Sequence, residues 1–140
     1  MRLIKGILLN PNEYVTLKYD GVGISGEVFV SALLIDLSGN KTFEMGEYIS
    51  NPKWDETGDY TGLVAGLLAS ANLGEKNILI VGSSKLEAHA ELEDFFMELF
   101  TNFTNVASIT IESRDLISEC VNLTSEVITD KKSFYRQFSK

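Results

Sequence analysis

The chain has 140 residues, of which 44% are hydrophobic, so it is long enough to form one domain with a substantial buried core. Its formal net charge of −8 argues against a surface built to neutralise phosphates, which is usually basic. Cys120 is the single cysteine, which excludes an internal disulfide and a cysteine-based metal site. Because one cysteine gives no sign of an oxidising compartment, we expect a cytoplasmic protein. No apolar run approaches the roughly 18 residues of a membrane span.

The first half of the chain predicts three strands in succession. Residues 1–12 are expected to form an N-terminal extension. Apolar and polar residues then alternate over Tyr14–Asp20, which is the period-two pattern of a half-buried strand. Residues Glu27–Asp36 are rich in β-branched and aromatic side chains and predict a second strand. A turn at Ser38–Asn40 and renewed alternation over residues 41–49 predict a third strand, which completes an antiparallel meander.

Three glycines, Gly21, Gly23 and Gly26, have the G-x-G-x-x-G spacing of a dinucleotide-binding loop. Such a loop needs a helix directly after the motif, because the helix N-terminus supplies the free N–H groups that bind the phosphates. Here the chain continues as a strand. We therefore interpret the glycines as a hairpin, where glycine takes a positive φ at low cost, and predict no bound cofactor at this motif.

The second half alternates helices and strands. Apolar residues at helical spacing, preceded by acidic residues between 55 and 59, predict a helix that ends near Gly74. The unbroken apolar run Asn77–Val81 predicts a central strand. Later elements are a second helix from Ser84 and a fifth strand at residues 106–111.

A third helix is predicted over Asp115–Ile128, and residues 130–140 are basic and aromatic, which favours a docking arm or a frayed terminus. Together these elements predict a single α/β domain over residues 1–140. Its sheet would be mixed and five-stranded, with an antiparallel meander followed by αβαβα and with helices on its faces.

The element order and three short phrases resemble the ribonuclease H family, in its ribonuclease HI type. The phrases are Tyr-Asp-Gly at residues 19–21, GDYTGLVAGLLASANLG at residues 58–74 and ILIVGSSKL at residues 78–86. The family has Gly-Asp-Ser after the corresponding strand in the last of these. The resemblance covers about Tyr14–Leu86 and implies a ribonuclease H-like fold, an architecture that also hosts transposases, ATPases and inactive scaffolds.

The resemblance also implies a site in which four acidic residues hold two Mg²⁺ or Mn²⁺ ions for phosphodiester hydrolysis. Asp20 and Asp59 stand at the first two positions and are the predicted metal ligands. Ser83 stands where the third acid is expected, and its neutral hydroxyl is a poor bridge between two cations. Val121 falls at the fourth position, and the alternative, Asp115, points toward solvent in its helical register.

Each of these residues also has a purely structural interpretation. Asp20 would cap the turn beside Gly21, and Asp59 would interact with the dipole at the start of its helix. Ser83 would cap the second helix. Cys120 lies on an apolar helical stripe and would be packed and inert.

The incomplete set of carboxylates predicts a ribonuclease H-fold domain with a degenerate metal site, acting as a binding or scaffold module for a protein partner. The resemblance places such a module in a nucleic-acid-processing system, although the net charge of −8 disfavours direct contact with nucleic acid.

Two alternatives stay open. One is an active Mg²⁺- or Mn²⁺-dependent nuclease that cleaves the RNA of RNA–DNA hybrids with Asp20, Asp59 and one of Glu112 or Asp115. The other is a protein that binds a small ligand or nucleotide at the turn formed by residues 82–84, because α/β proteins usually bind ligands at the carboxyl ends of parallel strands.

Overall fold

The computed structural model describes residues 1–50, 58–82 and 93–138, without the side chains of Asp59, Glu93 and Asp94. Within these residues the chain forms one mixed seven-stranded sheet with helices on its two faces. The strands are β1 (Arg2–Lys5), β2 (Val15–Ile24), β3 (Glu27–Ile35), β4 (Lys41–Ser50), β5 (Asn77–Gly82), β6 (Asn105–Thr110) and β7 (Phe134–Gln137). The helices are α1 (Gly58–Asn72), α2 (Glu93–Phe100) and α3 (Ser118–Asp130), with 3-10 turns at Pro11–Glu13 and Arg114–Ile117. None of the helices in this described part is long and apolar enough to cross a membrane.

The sheet has the strand order β1-β6-β5-β2-β3-β4-β7. β2, β3 and β4 form the predicted antiparallel meander, and β5 pairs parallel with both β2 and β6. The predicted α/β class is therefore confirmed, and β5 is internal to the sheet as expected. The predicted count of five strands was too low, because β1 and β7 each add an antiparallel edge strand. Each has four residues, which is too short for a periodicity to be recognised in the sequence.

The basic C-terminal segment, predicted to be a docking arm or a frayed terminus, pairs with the domain itself over Phe134–Gln137. The ring of Tyr135 stacks on that of Phe43 with centroids 5.6 Å apart. The guanidinium of Arg136 contacts the carboxylate of Glu44 at 3.0 Å and that of Glu126 at 2.5 Å. Part of the positive charge of this segment is therefore paired with acids of its own domain.

The glycine-rich segment is a hairpin, as predicted. β2 and β3 are joined by the two-residue turn of Ser25 and Gly26, whose φ angles are 49° and 81°, and Ile24 pairs with Glu27. Positive φ at both central residues is the requirement of a type I′ turn, whose twist matches that of the flanking strands. Gly21 and Gly23 differ from the expectation, because they lie inside β2 and not in the turn.

Glycines at every fourth position bring α1 unusually close to β2. A Cβ atom added at Gly62 would lie 2.5 Å from the carbonyl oxygen of Asp20, and one added at Gly58 would lie 2.8 Å from the carbonyl carbon of Val22. Such distances are not compatible with a side chain on the helix, so the helix backbone packs directly on the strand backbone. This contact fixes the start of α1 beside the segment of β2 that begins at Asp20.

The third helix begins later than predicted. Residues Arg114–Ile117 form a 3-10 turn, and α3 follows from Ser118. Leu116 is 62% exposed, whereas Leu123 is buried. The tighter 3-10 turn rotates the residues before Ser118 away from the register that a continuous α-helix would give them.

Candidate functional site

Asp20 lies in β2 and turns its carboxylate toward the side of the sheet that α3 covers. Its side chain is 4% exposed, and its Oδ1 accepts a hydrogen bond of 2.5 Å from Nη2 of Arg114. Arg114 belongs to the 3-10 turn before α3 and keeps 56% of its side chain exposed. Oδ2 of Asp20 is buried and has no hydrogen-bond partner among the described residues. The buried negative charge is thus compensated by a guanidinium that reaches in from the surface.

α3 is held over this part of the sheet by a buried polar contact. The Ser31 hydroxyl donates to the carbonyl oxygen of Cys120 at 2.7 Å and lies 2.8 Å from the Thr124 hydroxyl. Because Ser31 has one hydroxyl proton, Thr124 acts as the donor in the second bond. The contact joins the first turns of α3 to β3, beside the strand that carries Asp20, and so positions the preceding turn with Arg114.

Cys120 contributes packing to this region and no chemistry. Its side chain is fully buried, and burial, with the nearby negative charge of Asp20 as the next cause, raises the pKa of the thiol to about 12. The thiol is therefore neutral at physiological pH, and neither a nucleophile nor a metal ligand is available there. This agrees with its predicted role as an inert core residue.

Asp59 is the second residue of α1, and the backbone of its neighbour Gly58 packs against Val22 and Gly23. The backbone at Asp59 therefore lies beside the part of β2 that follows Asp20. Its side chain is outside the described residues, so its assignment as a metal ligand stays a prediction.

Ser83, predicted to stand at the missing acid, follows β5 directly and is also outside the described residues, as is Ser84. The preceding Gly82 is described. A Cβ atom there would overlap the ring of the buried Tyr19. Packing against Tyr19 therefore explains why residue 82 is a glycine, and a phosphate-binding turn is not needed to explain it.

Glu112 and Asp115, which were considered as replacement carboxylates, are both exposed. The backbone N–H of Asp115 donates to the Ser113 hydroxyl at 3.3 Å, so this residue helps to form the 3-10 turn. Its predicted orientation toward solvent matches its exposure. From the same turn it is Arg114, and not an acid, that reaches Asp20.

Sequence reasoning missed Arg114. It is the only basic residue between Ile111 and Asp130, and it directly precedes Asp115 in the sequence. Its isolation marks Arg114 as unusual but does not identify its partner, because Asp20 lies 94 positions away in the chain.

The described residues, which do not include the side chain of Asp59 or residues 83–92, do not by themselves supply the carboxylates that a pair of divalent cations needs. They contain no group of three or more His, Cys, Asp or Glu side chains that could hold a metal ion. Two divalent cations need a cluster of carboxylates to balance their charge. At Asp20 the positive charge beside the carboxylate is the guanidinium of Arg114, which would repel a divalent cation bound there.

Solved structures resemble this arrangement of strands and helices. Ribonuclease H1 from the halophilic archaeon Halobacterium salinarum NRC-1 aligns with a TM-score of 0.72 at 22% identity, over 84% of this chain and 98% of the other. The chain has a ribonuclease H-like fold. A ribonuclease H1 called LC11, solved in complex with an RNA/DNA hybrid, aligns with a TM-score of 0.70 at 16% identity, over 84% and 98% of the two chains.

A third structure with the ribonuclease H fold is the N-terminal RNase H domain of a Mycobacterium tuberculosis protein, with a TM-score of 0.69 at 18% identity, over 81% of this chain and 97% of the other. No protein-family model and no curated protein sequence matches this chain. At these identities the likeness establishes the ribonuclease H-like fold, and the chemistry has to be argued from the side chains of this chain.

Proposed function

We propose that this chain is a ribonuclease H-fold binding module with a degenerate metal site, which recognises a protein partner and does not hydrolyse nucleic acid. The observation that carries the proposal is the ion pair between the buried carboxylate of Asp20 and Arg114. Asp20 is the acid that the family resemblance assigns to the first metal position.

The ion pair disfavours a divalent cation for two reasons. A guanidinium does not lose its proton at physiological pH, so its positive charge persists beside Asp20. Charge-assisted hydrogen bonds of this kind are stronger than neutral ones, and a metal ion would have to displace this one. The nearby acids Glu112 and Asp115 are exposed and offer no compensating cluster.

A protein partner is favoured over nucleic acid by charge. The net charge of −8 repels phosphates. The basic C-terminal segment is partly neutralised by acids of the domain, because Lys131 contacts Glu27 and Arg136 contacts two other carboxylates. We infer that this partner belongs to a nucleic-acid-processing system, which is what the resemblance to the ribonuclease H family implies.

The competing function is a Mg²⁺- or Mn²⁺-dependent nuclease, and one observation favours it. Oδ2 of Asp20 is buried without a hydrogen bond among the described residues, and an unsatisfied carboxylate oxygen is a candidate metal ligand. LC11 ribonuclease H1, which shares the fold, was solved with an RNA/DNA hybrid.

Hydrolysis of a labelled RNA–DNA hybrid in Mg²⁺ or Mn²⁺ separates the two functions. We expect the native chain to cleave no faster than Asp20→Asn, because neither protein holds a metal pair. Asp130→Asn, at an exposed site on α3, is the matched control. Metal-dependent cleavage that survives in Asp130→Asn and disappears in Asp20→Asn would establish the nuclease instead.

A further inference from the structure

A groove of about 410 Å³ lies between α1 and the strands β4 and β7, away from Asp20. Its walls are mainly apolar and include Met45, Leu68, Leu73 and Tyr135. Glu47 is the only charged residue among the described residues that line it. A volume of this size is in the range of ligand-binding pockets, roughly 300–1,000 Å³, which are typically apolar with a few placed polar groups.

No cation among the described residues compensates the charge of Glu47. This residue is half-buried, and within the described part of the chain it makes neither a hydrogen bond nor an ion pair. Burial raises the pKa of its carboxyl group above the usual value. Glu44 on the same strand, in contrast, contacts Lys41 at 3.3 Å and Arg136 at 3.0 Å. Lys41 also contacts Glu119, and Arg136 also contacts Glu126, both on α3, so these two cations are paired with acids other than Glu47.

We propose that the groove binds a lysine side chain of a partner protein, with the ammonium at Glu47 and the aliphatic stem along the apolar walls. A lysine combines a compact charge with a flexible apolar stem, which matches an acid set in an apolar groove. The ring of Tyr135 at the rim adds a surface that attracts cations. The proposal does not depend on whether the site at Asp20 has lost its metal chemistry.

A side chain presented by a protein fits the groove better than a free amine. Leu68 and Tyr135 are each 47% exposed, so the apolar surface extends from the groove to the outside, where residues flanking the lysine would cover it. The net charge of −8 also favours encounter with a basic partner.

The test uses the whole chain and three probes, with amide chemical shifts as the readout. The probes are acetyl-Leu-Lys-Leu-amide, the same peptide with Nε-acetyl-lysine, and hexylammonium. We expect the lysine peptide to shift the amides around Glu47, Leu68 and Tyr135, and to bind about three- to tenfold more tightly than the acetylated peptide, as a partly desolvated ion pair allows. We expect hexylammonium to bind more weakly than the lysine peptide.

Glu47→Gln should bring the ratio between the two peptides close to one, and Glu98→Gln, an exposed acid on α2, should leave it unchanged. Gln has nearly the shape of Glu, so the variant is expected to fold. Equal binding of the two peptides to the native chain would overturn the proposal, as would shifts centred away from the groove. Tighter binding of hexylammonium than of the lysine peptide would overturn it too, in favour of a small organic cation.

Discussion

Asp20 and Glu47 are acids on two strands of the same sheet, and their surroundings differ. Asp20 is 4% exposed and paired with Arg114, whereas Glu47 is half-buried and meets no cation among the described residues. The difference follows from what covers each acid. The turn before α3 supplies an arginine, while α1 contains no lysine or arginine at all. Whether such an acid has a cationic partner therefore depends on the composition of the helix or turn that packs on its face of the sheet.

The largest effect is expected from Arg114→Met, which keeps a long side chain but removes the charge. The buried Asp20 carboxylate would lose its compensating cation, at a cost of about 2–3 kcal/mol in the free energy of unfolding. Urea unfolding measures this change. Replacing both residues, as Arg114→Met with Asp20→Asn, should recover most of the loss, because no uncompensated charge remains.

Arg136→Met is the matched control for Arg114→Met. Its guanidinium also contacts carboxylates at 2.5 and 3.0 Å, but the pairs lie at the surface, so we expect a cost of less than about 1 kcal/mol. Equal losses for the two arginine variants would contradict the view that burial of Asp20 makes its pair important.

The pH dependence of stability should report the burial of Cys120 beside Asp20. An unfolded cysteine ionises near its ordinary pKa of 9.0, whereas the folded thiol has a pKa of about 12. Between these values the unfolded state has lost a proton that the folded state keeps, so stability falls as pH rises, by up to about 1.4 kcal/mol per pH unit.

In Cys120→Ala the free energy of unfolding should lack the pH-dependent contribution of the thiol. Its profile between about pH 8 and pH 10.5 should therefore be flatter than that of the native chain, even if the variant is less stable at every pH because of the lost packing. Parallel profiles would show that the thiol is not protected as the structure indicates.

The smallest effect is expected from Glu47→Gln. Burial raises the pKa of Glu47, so the folded state disfavours its charge, and stability falls as pH rises through the ordinary value of 4.5 and the higher folded value. Removing the charge should stabilise the chain at about pH 7 by less than about 1 kcal/mol and have almost no effect below about pH 4. A destabilising effect at neutral pH would mean that Glu47 already has a partner within the chain.

The meander illustrates what could be predicted from sequence. Alternation over Tyr14–Asp20 and the β-branched run after Glu27 specify strands, because side chains of successive residues point to opposite faces. The requirement that a phosphate-binding loop open a helix was enough to interpret the glycines as a hairpin. The four-residue edge strands escaped prediction because they depend on pairing partners that are distant in the chain, such as Ser108 for Arg2.

The sequence by itself determined the α/β class, the order of the main elements and the candidate status of Asp20, because these depend on local periodicity and short motifs. Only the tertiary structure decided that Arg114 pairs with Asp20 and that Glu47 has no cationic partner among the described residues. Asp20 and Arg114 are 94 positions apart, and a contact of that separation depends on how α3 and its preceding turn pack on the sheet. No local pattern contains that information.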